Sequence, residues 1–178
     1  MRDVSVDNLI KKKKSAKKTF ADKYALSDKD ALLGIILDHE LSGEEEERIK
    51  NLLEATRNLS VQVVLLADHQ PAIKLHKTEL FLEYSRQNRT KLLEAADMAL
   101  SFSFNDVEEM LLNGTIPITS KREEIANYNT NRETGNGFIY SKDNDWSIFA
   151  AIVRATETFR FPYDWNNIVR QGLELKED

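Results

Sequence analysis

The sequence predicts an α/β fold, a single Rossmann-like doubly wound parallel sheet with helices on both faces. Three observations predict it. Residues 31–37 and 61–67 are unbroken apolar runs, as expected of strands buried on both faces. Segments with helical apolar spacing separate such runs, so strand and helix alternate along the chain. Residues 109–118 then join an apolar helix to a short branched strand through Gly114, which can take the left-handed conformation that ends a helix.

At 178 residues the chain is long enough to bury the core of one domain. Its net charge of −5 argues against nucleic acid or an anionic membrane as a partner. Cysteine is absent, which excludes disulfides and thiolate metal sites and fits a reducing compartment. No apolar run approaches the ~20 residues of a membrane span. No apolar signal segment precedes the first lysines, so a cytoplasmic location is expected.

Residues 1–29 read as a leading basic helix, distinct from the domain at 30–178. Its lysines, Lys11 to Lys14 with Lys17 and Lys18, read as a solvated face, with Ile10, Phe20 and Tyr24 touching the body. The alternative is an anion site for phosphate or acidic glucan. The strand at 31–37 is followed by a helix at 44–58, which points Ile49, Leu52 and Leu53 inward and carries glutamates in its first turn, where the helix dipole favours them. A strand at 61–67 leads to a loop at 68–73. Residues 74–88 read as helix or irregular. A short helix at 90–96 precedes a strand at 98–103, and the joint around Gly114 follows. Residues 120–133 form a polar insertion, a lid or plain disorder, before a turn at Gly137. Two helices close the chain at 144–159 and 164–173, with Trp146, Phe149, Trp165 and Ile168 as expected packing anchors.

Several chemical motifs are missing. His39, His69 and His76 lack the spacing of a zinc-binding helix, and no metal site is expected. Neither a nucleophile elbow nor a Walker-type phosphate loop occurs. Asn113-Gly114-Thr115 matches a glycosylation sequon, but inside a packed joint it reads as coincidence.

The wording of the joint is more specific than its pattern. A helix ending in apolar residues and followed by Gly114-Thr115-Ile116-Pro117-Ile118 resembles glycogen and starch synthases and their retaining relatives of the GT-B fold. Gly135-Asn136-Gly137-Phe138-Ile139-Tyr140 is similar to that family's G-x-G-F turn and strand, and Ala151-Ile152-Val153-Arg154-Ala155 to the core of its next helix. Upstream, Val61 to Leu66 and Ala95 to Leu100 resemble two further family strands. The resemblance runs in order over roughly residues 30–172 and implies the C-terminal, nucleotide-sugar half of such a transferase. It implies ADP-glucose or UDP-glucose as ligand, an α-glucan as acceptor and a separate N-terminal GT-B domain as partner. No other cofactor is implied.

The resemblance also marks departures. The family places an arginine after the first strand and a lysine shortly beyond it, to neutralise the diphosphate leaving group. Asp38 and Gly43 stand at those positions, so no catalytic residue is assigned. A carboxylate there repels where stabilisation is needed. Glu109 matches the second of the family's two glutamates and could accept from a ribose, whereas Ser101 falls at the first. Residues 103–106 replace the usual glycine-containing turn, and Thr119-Ser120-Lys121-Arg122 replaces the family's T-G-G loop. The candidate ligand-binding residues are therefore Glu109, Gly114, Thr115, Lys121 and Arg122. Three readings follow: a degenerate domain with lost transferase chemistry, an excised half of an active transferase, or a scaffold without a small ligand.

Overall fold

The computed structural model describes residues 2–102 and 106–174, with side chains from Val6 onward. Six parallel strands form one sheet in the order β3-β2-β1-β4-β5-β6. The strands are β1 (Ala31–Ile36), β2 (Val61–Ala67), β3 (Glu79–Glu83), β4 (Met98–Ser101), β5 (Ile116–Thr119) and β6 (Phe138–Ile139). The helices are α1 (Arg2–Tyr24), α2 (Gly43–Thr56), α3 (Arg86–Ala95), α4 (Val107–Leu112), α5 (Asp145–Phe159) and α6 (Pro162–Glu174). The order reverses beside β1, and helices cover both faces, as the sequence predicts.

Alternate residues of the central strands feed two cores. Leu33, Ile35, Val63, Leu65 and Leu100 pack with Ile49, Leu52 and Leu53 of α2 and with Ile148 and Ile152 of α5. On the other face Leu32, Ile36, Val64 and Leu66 pack with Leu92 and Leu93 of α3 and Phe20 of α1. This two-sided burial explains why β1 and β2 read as continuous apolar runs. Gly34 lies where a Cβ would come 3.2 Å from Leu92, so the residue's smallness lets α3 approach the sheet. Gly114, at φ +65°, ends α4 as predicted, with the Thr115 N–H returning to the Met110 carbonyl at 2.9 Å.

Five expectations are corrected. Residues 74–88 contain a strand: β3 pairs with β2 from Glu79 to Glu83. Its signal is weak because it is an edge strand with acids at both ends, and only Glu79 is buried. The Arg57 Nε donates to Glu79 Oε1 at 2.7 Å and so permits that burial. The basic helix is not a solvated face throughout, because Lys13 and Lys17 are buried. Trp146 is no anchor: it is 82% exposed, whereas Trp165 and Ile168 are buried. The insertion after β5 is folded. Ile125 and Tyr128 are buried, bridges join Asn127 to Gly137 and Asn129 to Thr134, and the Tyr128 hydroxyl donates to Asp164 at 2.7 Å. The predicted strand at 98–103 ends at Ser101, and residues 103–105 lie outside those described.

Candidate functional site

Ligands of open parallel sheets bind beyond the carboxyl ends of the strands, so that edge is the candidate site. The loop after β1 carries Asp38, exposed, in the position where the resemblance puts an arginine. Gly43 opens α2 with free space around its Cα. The N-terminus of α2 is closed from within the chain: Ser42 Oγ accepts from the Glu45 N–H at 3.3 Å, and Glu45 Oε2 accepts from the Ser42 N–H at 2.9 Å. This capping box fills donors that a phosphate would otherwise meet.

Two histidines knit this corner together. His39 Nε2 lies 2.7 Å from Glu45 Oε1 and its Nδ1 3.3 Å from Asp38 Oδ1. His69, after β2, lies 2.6 Å from Glu46 Oε1 and 2.9 Å from Asp68 Oδ1. Hydrogen bonds donated to Glu45 and Asp38 raise the His39 pKa, and those donated to Glu46 and Asp68 raise that of His69. Four carboxylates thus gather at this corner, two around each histidine. No group of three His, Cys, Asp or Glu side chains is arranged to hold a metal ion among the described residues.

Glu109 stands on α4 at this same edge, but it is engaged. Arg89, in the first turns of α3, pairs with Glu109 and with Asp106 through separate guanidinium nitrogens. Asp106 is buried and also accepts from the Ser101 hydroxyl. The site where the resemblance expects a free glutamate for a ribose is therefore an ion-pair cluster. Arg89 had no visible signal in the sequence, since it falls between the segment at 74–88 that reads as helix or irregular and the helix expected at 90–96, whereas α3 begins at Arg86.

The remaining candidates divide between the two edges. Lys121 and Arg122 follow the carboxyl end of β5, and Arg122 Nε donates to Thr119 Oγ1 at 2.8 Å. Gly114 and Thr115 precede β5 and so lie at the opposite, amino edge. Thr115 is fully buried; its hydroxyl donates to the Leu93 carbonyl at 2.6 Å and accepts from Lys13 Nζ at 2.9 Å. Glu109, Lys121 and Arg122 share one edge, and Gly114 and Thr115 do not join them.

No family profile and no curated protein sequence matches the chain. Solved structures do. The catalytic domain of starch synthase IV from Arabidopsis thaliana, bound to ADP and acarbose, superimposes with a TM-score of 0.69 at 18% identity, over 90% of this chain and 38% of that one. HepE of Anabaena, in complex with UDP and glucose, gives 0.64 at 14% identity, over 90% and 47%. WaaG, a glycosyltransferase of lipopolysaccharide biosynthesis, gives 0.61 at 14% identity, over 89% and 46%. The chain spans less than half the length of each of these proteins. With its six-stranded parallel sheet and these likenesses, the chain has the fold of a glycosyltransferase-like GT-B domain, the C-terminal half of that architecture.

Proposed function

We propose that the chain is a degenerate nucleotide-sugar half of a glycogen- or starch-synthase-like GT-B transferase and does not transfer glucose by itself. The observation that carries the reading is the carboxylate corner at the end of β1. Asp38, Glu45, Glu46 and Asp68, held by only two histidines, gather at the edge where the resemblance puts the leaving diphosphate and its arginine and lysine. The engagement of Glu109 by Arg89 adds to it. GT-B catalysis also depends on a second domain closing over the donor, which excludes water and supplies the acceptor side. The role left to the domain is binding, to a partner domain or to a glucan.

Calorimetric titration with ADP, ADP-glucose and UDP-glucose at low salt tests the reading. No heat is expected at millimolar ligand. Binding in the micromolar to low millimolar range, weakened by Glu109→Ala, would overturn it. It would favour instead an active half using Lys121 and Arg122, a reading supported by their place at the same carboxyl edge as Glu109. The ADP and UDP held by two of the similar structures make these nucleotides the appropriate probes.

A further inference from the structure

A second feature lies on the far side of the sheet, at the amino ends of the strands. A half-open cavity of about 830 Å³ lies between α1, the start of β1 and the α5–α6 corner. This is within the size range of small-molecule sites. Its floor is apolar, built from Leu9, Ile10, Phe159, Trp165 and Val169. Its walls carry six cationic and three acidic side chains, in a chain whose net charge is −5.

These cations are of two kinds. Lys13 and Lys17 are buried and satisfied: Lys13 Nζ donates to Thr115 Oγ1 and to the Leu93 carbonyl, and Lys17 Nζ meets Asp97 and the Asp30 carbonyl. They hold α1 on the sheet. Lys14, Lys18 and Lys29 are exposed at the wall and form no salt bridge among the described residues, while Arg160 meets Glu157 at 3.1 Å. Asp28 and Asp30 share the wall, and Asp97 is matched by Lys17, so positive charge remains in excess.

A third observation is independent of charge. Thr156 lines the cavity, is 2% exposed, and its Oγ1 has no hydrogen-bond partner. A buried hydroxyl left unsatisfied costs about 1–3 kcal/mol, so such a group is uncommon without a reason.

We propose that this amino-edge cavity is a binding site for a small phosphorylated molecule with an apolar, aryl-sized body. The dianion would meet Lys14, Lys18 and Lys29 at the rim, and the body would lie against Phe159 and Trp165. An exposed basic surface alone would equally suit an anionic membrane, with Phe161 and Tyr163 exposed nearby. The half-enclosed shape favours the small molecule.

The two tryptophans make the test local. Trp146 stands at the start of α5, at the carboxyl edge, and Trp165 lines the cavity. In the Trp146→Phe protein, fluorescence therefore reports the cavity alone. Phenyl phosphate is expected to change it saturably, with half-saturation below about 1 mM, the affinity of a modest few-contact ligand. Inorganic phosphate and phenol should each bind at least about tenfold more weakly, as each lacks one half of the recognition. Lys14→Glu with Lys18→Glu, both exposed positions, should weaken phenyl phosphate by about tenfold or more through charge reversal. No saturable change at millimolar ligand, equal binding of phenol, or undiminished binding by the double reversal would each overturn the proposal. So would a response seen only with anionic phospholipid vesicles and lost in Phe161→Ser. Glu109→Ala should leave the cavity signal untouched, so this test fails or succeeds independently of the donor-site reading.

Discussion

Lys17 Nζ lies 2.7 Å from Asp97 Oδ2, and the two side chains are only 7% and 9% exposed. The pair fastens α1 to the amino end of β4, where Asp97 also accepts from the Leu32 N–H at 2.8 Å. Burial raises the Asp97 pKa, against the Lys17 ammonium that holds it down. Removing one partner leaves the other charge buried. Lys17→Met is expected to cost about 3–5 kcal/mol in urea unfolding, and adding Asp97→Asn should return part of that loss. An unchanged urea midpoint in Lys17→Met would show that the pair does not hold the helix.

Lys13 gives a prediction of opposite character. Burial lowers its pKa from 10.5 to about 7, although Asp97 works to raise it. Between those values the unfolded chain binds a proton that the folded chain does not. The cost of burying Lys13 is thus fully present below pH 7 and is relieved as pH rises toward 10.5. The unfolding free energy of the native protein should gain more between pH 7 and pH 9 than that of Lys13→Met. Equal gains in the two proteins would remove Lys13 as the cause.

The histidine corner behaves in the reverse sense. The folded pKa values of His39 and His69 lie above the ordinary 6.5. Their contribution to stability is therefore fully present below that value and is lost as pH rises through the folded values. Proton NMR of the ring resonances should show both titrating late. Glu46→Gln should bring His69 back toward the ordinary midpoint and leave His39 in place. A His69 titration that ignores Glu46→Gln would argue against the geometry.

Gly135 sits at φ +123°, and a Cβ there would come 2.5 Å from the Tyr128 Cα. Gly135→Ala therefore combines a disfavoured backbone with a clash against main chain. It should cost about 2–5 kcal/mol and unpack the segment between β5 and β6. Gly43→Ala meets nothing within 4 Å and serves as the comparison, expected to be neutral or slightly stabilising. The two unfolding curves, measured side by side, check both statements.

Much of the fold is legible because burial on both faces of a parallel sheet writes itself as runs of apolar residues. β1, β2 and the joint at Gly114 carry their own signals in this way. β3 does not, because an edge strand buries little and its acids break the run. Trp146 misled because its size suggests burial, while its place in the exposed first turn of α5 was set by tertiary packing. At the carboxyl edge, Asp38 and Gly43 could be read as departures from the family pattern, since they lie in a short loop fixed by its strand. The pairing of Arg89 with Asp106 and Glu109 could not, because it joins two helices whose relative placement is decided by the whole sheet. Lys13 and Lys17 show the same limit: a lysine run looks solvated until a helix lays it across a buried aspartate.

The sheet is open, and its outermost strands would ordinarily invite another chain to pair with them. β6 offers only two residues, enclosed by the folded insertion, so it presents almost no template. β3 is longer, but it begins and ends in glutamate, and Arg57 folds over its first residue. An incoming strand would have to displace an ion pair at one end and face a carboxylate at the other. Both outer edges of the sheet are thereby closed to pairing with a further strand.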